Sequence, residues 1–356
     1  MIYEQDDKNM KKLGMAFLCF CTAGLLMGCS SSSDLMKSYN DTALENSRRI
    51  INMNQNSDYD FFAVNLALFP KNTNSINIEE TESSEETDDL VPETSGEIMA
   101  SSQEDISNTS LLASIDRAEG VYGKDVYDRV YPASVTKIMT ALLTIQHANF
   151  TDKVIFTEDM VVTDYGAKLC GFNVGDELTV EQLFQGLMIY SGNDAANALA
   201  IHIGGSIENF ADMMNKEAKR LGCVDTNFVN PSGQHDNNHY TSAYDLYLIF
   251  NECLKYEDFT NVIRQRSCDI SYTNAQGEIV DATYTTTNQY FLDTYDYPEN
   301  VRVLGGKTGT TDEAGCCLIL YDVDSKDSGY ISVVLGASTS QELYSEMNVL
   351  LNKIPK

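Results

Sequence analysis

Three short motifs constrain the fold of this chain, because they can work together only where a helix start, a helical junction and an edge strand converge. In chain order the motifs are Ser134-Val-Thr-Lys137, Ser191-Gly-Asn193 and Lys307-Thr308-Gly309. Each motif alone is a weak signal, since Ser-x-x-Lys arises by chance in most chains of this length and Ser-Gly-Asn is typical of turns. The ordered set supplies a nucleophile, bases and a carboxylate anchor, and it predicts acyl transfer through an active-site serine.

The first motif lies at the start of a predicted helix over residues 134–147, which follows Pro132 and Ala133. Residues three positions apart share one helical face, with Cβ atoms about 5 to 6 Å apart, so Ser134 and Lys137 should face each other. Apolar side chains follow Lys137, and burial disfavours its charged form, which lowers the pKa toward that of a usable base. The helix N-terminus adds positive potential where an oxyanion would form beside the Ser134 amide.

The second motif lies in a mostly helical stretch, residues 179–215, at a junction where Gly192 allows a tight backbone. Ser191 and Asn193 would protrude at this junction. A second hydroxyl near the nucleophile can relay a proton to the leaving amine, and an Asn side chain can both hold Lys137 and hydrogen-bond the substrate amide.

The third motif continues a predicted strand, residues 301–304, through a glycine-rich edge. The glycines let a substrate backbone lie along this edge, where Lys307 can pair with a substrate carboxylate and Thr308 can donate a hydrogen bond. The segment is a poor phosphate-binding loop, because the leading Gly-x-x-x-x is missing and no helix pattern follows.

The chain from residue 110 onward alternates strand and helix patterns in one domain-sized block. Residues 111–115 and 121–126 predict one hairpin, and residues 315–321 and 330–336 predict a second. A closing amphipathic helix is predicted at residues 340–353.

The first 28 residues predict an export signal, because a basic segment beginning at Met10 precedes an apolar stretch too short to span a bilayer comfortably. The stretch ends in Leu26-Met27-Gly28-Cys29, which resembles a bacterial lipobox and predicts Cys29 as the lipidated mature N-terminus. An ordinary signal peptide with a chance cysteine is the alternative. Acidic residues before Met10 suit such a signal poorly, so we hypothesise that translation starts at Met10.

Two polar segments follow the signal. Residues 29–58 predict a flexible tether with an r.m.s. span of about 30 Å, which would hold a globular domain off the membrane. Residues 72–105 are rich in Asp and Glu and lack Lys and Arg, so we expect a disordered acidic insertion. The apolar run at residues 60–69 predicts the first strand of a catalytic domain over residues 59–356. The alternative is that folding starts only near residue 110.

Composition restricts the partners and cofactors. The formal net charge of -29 argues against nucleic acid as a partner, because no basic stripe exists to neutralise phosphates. The domain cysteines show no Cys-x-x-Cys or metal-type spacing, so we expect small buried hydrophobes, with Cys316 and Cys317 on opposite faces of a strand. His235 and His239 lack a third ligand signal, which favours turn and packing roles. No metal and no cofactor are predicted.

The motifs lie within longer sequence segments, and further segments lie between them. These are Tyr131-Pro-Ala-Ser-Val-Thr-Lys-Ile-Met-Thr-Ala-Leu-Leu143, Ser191-Gly-Asn-Asp-Ala-Ala-Asn-Ala-Leu-Ala200, Met214-Asn-Lys-Glu-Ala218, Leu221-Gly, Asn230-Pro-Ser-Gly233, His239-Tyr-Thr and Gly306-Lys-Thr-Gly-Thr-Thr-Asp-Glu-Ala-Gly315. From about Leu111 to its end, the chain therefore resembles the D-alanyl-D-alanine carboxypeptidases of the low-molecular-mass penicillin-binding protein class. The resemblance implies a β-lactamase/transpeptidase-like α+β fold, an antiparallel sheet flanked by helices beside a helical lobe.

The resemblance also implies a mechanism, in which Ser134 attacks the penultimate D-Ala carbonyl of a peptidoglycan stem peptide, D-Ala leaves, and water resolves the acyl-enzyme. The implied roles are Lys137 as general base, Ser191 as proton shuttle, Asn193 as orienting group, Lys307 and Thr308 as holders of the D-Ala carboxylate, Gly309 as part of the substrate-binding edge, and the amides of Ser134 and Thr310 as the oxyanion hole. β-Lactam antibiotics would acylate the same serine. The lipid on Cys29 would place the enzyme on the outer face of the bacterial cytoplasmic membrane.

Three departures limit the resemblance. Gln234 stands where an apolar residue is usual, and the acidic insertion interrupts the N-terminal strands. The chain ends after the last helix, so we expect the lipid on Cys29 to replace a C-terminal membrane anchor. Apart from these three, no arginine follows Arg302, so no arginine from the last strands is expected to assist Lys307.

Two other functions share these motifs. A class A β-lactamase needs a Glu on the loop after Ser-x-Asn to activate the deacylating water, and residues 223–240 offer Asp225 and Asp236 but no Glu. The other is a non-catalytic peptidoglycan-binding or β-lactam-sensing lipoprotein, against which the intact motif residues argue. The balance between trimming, cross-linking and cutting of stem peptides stays open.

Overall fold

The computed structural model describes residues 109–356 of the chain. Six predictions therefore lie outside the described residues: the start of translation at Met10, the export signal at residues 1–28, the lipid on Cys29, the tether at residues 29–58, the strand at residues 60–69 and the acidic insertion at residues 72–105. No helix of the described part is both long and apolar enough to cross a membrane.

A five-stranded antiparallel sheet carries the third motif on its edge. Its strands are β1 (Thr109–Ser114), β2 (Glu119–Lys124), β7 (Val301–Thr311), β8 (Gly315–Asp324) and β9 (Gly329–Ala337), in the order β2-β1-β9-β8-β7. Both predicted hairpins are confirmed, and the predicted strand at residues 301–304 extends through the motif to Thr311. Among the strands of residues 109–356, β7 pairs only with β8, so it forms an edge of this sheet to which an extended chain could add.

Apolar side chains on both faces of this sheet explain its position between two layers of helix. Leu318 and Leu320 of β8 pack on one side with the closing helix α7 (Ser340–Leu351), which begins at the cap residue Thr339. The predicted closing helix is thus confirmed, although it ends two residues earlier than residue 353. Cys316 contacts this cluster, whereas Cys317 belongs to the core on the opposite face, as the strand period predicted.

The other face of the sheet packs on a helical lobe. Its α-helices are α1 (Lys137–His147), α2 (Val180–Gln185), α3 (Asn193–Gly204), α4 (Ile207–Arg220), α5 (Ala243–Cys253) and α6 (Glu257–Ile263). Helix α1 is central, since Ile138 and Leu142 are fully buried and α1 contacts α3, α5 and α6. Four of the six described cysteines are buried and all six are free thiols, which agrees with their predicted packing role.

A second, four-stranded antiparallel sheet was missing from the sequence interpretation. It comprises β3 (Lys153–Ile155), β4 (Glu177–Thr179), β5 (Ser267–Thr273) and β6 (Ile279–Thr285), in the order β3-β4-β5-β6. The alternating burial of β5 shows that its sequence does carry the period of a half-buried strand.

Candidate active site

The first motif begins in a 3-10 turn, Ala133–Thr136, and the α-helix starts only at Lys137. The sequence predicted a helix from residue 134. The difference arises at Ala133, whose φ of 48° lies in the left-handed region and turns the chain sharply into the helix. Ser134 is half-buried on this turn, so its hydroxyl remains accessible to a substrate.

Lys137 contacts Ser134 directly. Its Nζ donates hydrogen bonds to Ser134 Oγ at 2.9 Å, to Asn193 Oδ1 at 2.8 Å and to the Ser232 carbonyl at 2.7 Å. The side chain is fully buried, and this burial lowers the pKa of Lys137 to about 7, although the negative charge of Asp194 acts in the opposite direction. Near neutral pH a large fraction of Lys137 is therefore unprotonated and able to accept a proton.

Ser191 lies at the end of a π-helical turn, Gly186–Tyr190, with a left-handed φ of 71°. Such a conformation is costly for a non-glycine residue and needs support from its surroundings. The next residue supplies it, since the Gly192 amide donates to the Gly186 carbonyl at 3.0 Å. A Cβ on Gly192 would lie 2.3 Å from Cys170 Sγ, which explains the glycine between the two motif side chains.

The loop that contains Cys170 fixes the start of helix α3. The Asn193 amide donates to the Lys168 carbonyl at 2.8 Å. Buried Asp194 accepts hydrogen bonds from the amides of Cys170 and Gly171, both at 2.8 Å. These bonds satisfy a buried carboxylate and hold Asn193 against Lys137, so Asp194 supports the site without contacting the serine.

Lys307 of β7 contacts Ser191 rather than Ser134. Its Nζ donates to Ser191 Oγ at 2.9 Å and to the Thr308 carbonyl at 2.8 Å. Burial lowers the pKa of Lys307 well below its usual value, and the charges of Lys137 and Lys168 lower it further. Two buried lysines thus contact two serines, Lys137 at Ser134 and Lys307 at Ser191. Lys307 belongs to the edge strand β7.

Strand β7 passes directly beside the Ser134 turn. A Cβ on Gly309 would lie 2.8 Å from the Ser134 amide nitrogen and 3.0 Å from the Pro132 carbonyl oxygen, so only glycine permits this approach. The Thr308 hydroxyl hydrogen-bonds the Thr287 hydroxyl at 2.5 Å. The Thr310 hydroxyl donates to the Gly309 carbonyl at 2.8 Å. The structure therefore brings together all the residues of the three motifs that the sequence singled out.

The Asn-Pro-Ser-Gly segment at residues 230–233 contributes a group that the sequence interpretation did not assign. The Asn230 Oδ1 atom accepts a hydrogen bond from the Gly233 amide at 2.8 Å and thereby orders the turn that aims the Ser232 carbonyl at Lys137. Gly233 has a φ of +81°, and a Cβ there would lie 1.8 Å from the Ala133 carbonyl oxygen. The segment is part of the resemblance, but a backbone carbonyl carries no residue-type signal.

The two histidines of the Asn/Asp-rich loop do not form a metal site with their neighbours. His239 Nε2 and the Thr136 hydroxyl are 2.8 Å apart, and His239 Nδ1 accepts from the Val229 amide, which makes Nε2 the donor of the neutral ring. Burial lowers the pKa of His239 to about 4. Within residues 109–356 no group of three or more His, Cys, Asp or Glu side chains could hold a metal ion.

Known proteins are similar to this chain. A model of the D-alanyl-D-alanine carboxypeptidase family matches residues 97–339. The chain is 35% identical over 250 residues to the D-alanyl-D-alanine carboxypeptidase DacF of Bacillus subtilis, covering 69% of this chain and 61% of that protein. It is 31% identical over 233 residues to DacA of Haemophilus influenzae, covering 63% of this chain and 55% of that protein. The chain thus matches little more than half the length of these relatives.

A solved structure agrees with the same grouping. The crystal structure of a Streptomyces DD-transpeptidase superposes with a TM-score of 0.65 at 26% identity, covering 71% of this chain and 98% of that one. The α+β fold of antiparallel sheets and helices expected from the resemblance is confirmed by this likeness. With the family model spanning most of the chain, the protein belongs to the D-alanyl-D-alanine carboxypeptidase family.

Proposed function

We propose that this protein is a serine-type D-Ala-D-Ala carboxypeptidase that removes the terminal D-Ala from peptidoglycan stem peptides. The observation that carries the proposal is the 2.9 Å hydrogen bond between Ser134 and a fully buried Lys137 whose pKa is lowered to about 7. A lysine in this state is a competent general base at neutral pH. Family membership and the names of the relatives support the reaction and the substrate class.

In the acylation step, neutral Lys137 takes the Ser134 proton while Oγ attacks the carbonyl carbon of the penultimate D-Ala. The carbonyl oxygen becomes an oxyanion in front of the amides of Ser134 and Thr310. The tetrahedral intermediate collapses when the C–N bond breaks and the proton held by Lys137 passes through the Ser191 hydroxyl to the D-Ala nitrogen. Lys137 is then neutral again, and Lys307 orients Ser191 by donating to its Oγ. Asn193 holds Lys137 through Oδ1 and offers its Nδ2 group to a substrate amide.

The terminal carboxylate of the substrate binds at Lys307 and Thr308 on the edge strand β7. A carboxylate beside Lys307 favours its protonated form, so binding raises a pKa that burial had lowered. Deacylation repeats the first step with water, which gives its proton to Lys137 and attacks the ester. The ester bond breaks, and Ser134 regains its proton.

The proposed class of inhibitors follows from the same step, since a β-lactam presents a strained amide and a carboxylate to the same groups.

The proposed location is extracytoplasmic, where peptidoglycan lies, with the protein held to the membrane by a lipid on Cys29. The lipobox-like sequence that ends at Cys29 supports this anchor. Cys29→Ala should move the protein from the membrane fraction to the soluble one, and an unlipidated mature N-terminus in the wild type would remove the anchor.

The reaction is tested by measuring free D-Ala released from diacetyl-Lys-D-Ala-D-Ala by the purified full chain and by the Ser134→Ala variant. We expect release by the wild type and none by the variant. A parallel reaction with an added amine acceptor separates hydrolysis from transfer. Formation of the transfer product without free acid would replace the carboxypeptidase assignment by a transpeptidase.

A further inference from the structure

A pocket of about 320 Å³ lies beside the proposed active site and is not used by the mechanism above. Its lining includes Arg129, Tyr131, Asn237, Tyr240 and Glu313. We refer to the space lined by these residues as the upstream pocket.

The walls of the upstream pocket are direct continuations of the segments that build the site. Tyr131 lies three residues before Ser134, and Glu313 lies three residues after Thr310, in the turn between β7 and β8. Asn237 follows Gly233, which packs against the Ala133 carbonyl. The pocket is therefore fixed to the same turns that hold the nucleophile and the oxyanion amides.

The direction of the substrate follows from the proposed function, on which this inference rests. If the terminal carboxylate lies at Lys307 and Thr308 and the scissile carbonyl lies at Thr310, the peptide runs along β7 toward the end of that strand. An extended residue advances about 3.3 Å. The third residue from the peptide C-terminus therefore lies beside Thr311 and the turn that carries Glu313.

The upstream pocket presents one cation and one anion. Arg129 uses Nε to contact Asp225 Oδ1 at 3.3 Å, and its guanidinium lies 4.7 Å from the centre of the Tyr240 ring. Among the described residues, none takes a hydrogen bond from its terminal Nη groups, which present the paired donors that match a carboxylate.

Glu313 supplies the opposite charge. Its Oε2 atom lies 3.8 Å from His235 Nδ1, and that buried nitrogen has no hydrogen-bond partner among the described residues. The His235 ring packs edge-on against Tyr131, with ring centres 4.7 Å apart. The glutamate side chain is 45% exposed and can accept hydrogen bonds from an ammonium group that enters the pocket.

We propose that the upstream pocket binds the side chain of the third residue from the C-terminus of the stem peptide, and that it selects a side chain ending in both a carboxylate and an ammonium group. Arg129 binds the carboxylate and Glu313 binds the ammonium. A side chain with only one of these groups leaves either the Nη donors of Arg129 or the carboxylate of Glu313 without a ligand partner.

Three acetylated peptides X-D-Ala-D-Ala test the assignment. X is 2,6-diaminopimelate with both end groups, lysine with the ammonium alone, or 2-aminopimelate with the carboxylate alone. We expect the full chain to cleave the first peptide with a kcat/KM about tenfold above the others. This is the effect of one charge-assisted hydrogen bond in a half-exposed pocket.

Single variants assign each end group to its residue. Arg129→Gln should lower kcat/KM for the diaminopimelate peptide to the value for the lysine peptide. Glu313→Gln should lower it to the value for the aminopimelate peptide. Arg117→Gln and Glu119→Gln are the matched controls, since their side chains are 52% and 62% exposed at the opposite edge of the sheet. The controls should keep the preference of the wild type.

Equal cleavage of the three peptides by the wild type would overturn the proposal, and so would a preference that survives in both pocket variants. Benzylpenicillin separates this failure from that of the proposed function, because it needs Ser134 but not the upstream pocket. The two control variants should be acylated by benzylpenicillin at the wild-type rate. A wild type that neither reacts with benzylpenicillin nor releases D-Ala from any peptide would overturn the proposed function and this assignment together.

Discussion

The site contains two serine–lysine pairs that differ in how the fold assembles them. Ser134 and Lys137 are three residues apart on one turn, whereas Ser191 and Lys307 are separated by 116 residues and join the helical lobe to the edge strand. Lys137 contacts a serine, an asparagine and a backbone carbonyl of the lobe. Lys307 contacts one serine and its own strand, β7, at the edge of the large sheet. Both lysines are buried, but the first pair is local to the helical lobe and the second joins the lobe to the sheet.

The largest effect should come from Lys137→Met, which keeps the length and burial of the side chain and removes the base. We expect the rate of Ser134 acylation to fall by about 10³-fold, within the usual range for general base catalysis. The activity of the variant should fall equally toward a peptide with a free C-terminal carboxylate and toward the same peptide with a C-terminal amide, because Lys137 does not bind the carboxylate. Lys216→Met, on the exposed face of α4, is the control and should retain full activity.

Lys307→Gln should produce a smaller and selective effect. We expect kcat/KM for a peptide ending in a free carboxylate to fall by about 10²-fold, the range for lost charge-assisted hydrogen bonds. The kcat/KM for the peptide amide should fall much less, so the preference of the enzyme for the free acid disappears. An equal loss for both peptides would mean that Lys307 acts on the proton path through Ser191 and not as an anchor.

Gly233→Ala should weaken the first pair and leave the second intact. The new Cβ would collide with the Ala133 carbonyl and displace the Ser232 carbonyl from Lys137. We expect a loss of about 2 kcal/mol in the free energy of unfolding, measured by urea denaturation, together with slower acylation. Gly277→Ala is the matched control, because its φ of +83° is nearly the same and no atom lies within 4 Å of the new Cβ. A similar loss in both variants would assign the cost to backbone conformation alone.

The pH dependence of acylation should report the state of Lys137. The protonated lysine cannot accept the serine proton, so the rate falls as pH drops below the folded pKa of about 7 and levels off above it. Between pH 8 and pH 6 we expect about a tenfold decrease in the rate of benzylpenicillin acylation. A rate that stays constant over this range would contradict a lysine base with this pKa.

The two pairs also show what the sequence predicts. The three-residue spacing predicted that Lys137 lies beside Ser134, and the apolar residues after Lys137 predicted the burial that lowers its pKa. The pairing of Ser191 with Lys307 depended on the ordered motifs and the family resemblance, since no local rule joins residues so distant in sequence. The strands of the large sheet and the closing helix followed from their strong apolar patterns.

Other features were not readable for physical reasons. The Ser232 carbonyl that holds Lys137 is a backbone group, which every residue possesses. The left-handed Ala133 and Ser191 depend on contacts made by Gly233 and Gly192, so their conformations are set by tertiary packing. In the second sheet, β3 and β4 are only three residues long and β6 is largely exposed, so their signals are weak, whereas the alternating pattern of β5 was readable and was missed.

The most direct test of the account is an intact-mass time course of the full chain with benzylpenicillin, beside the Ser134→Ala variant. We expect a one-to-one covalent adduct on the wild type that persists while free penicillin remains, and no adduct on the variant. Rapid loss of the adduct with consumption of penicillin would indicate a β-lactamase, and absence of any adduct would contradict an active-site serine.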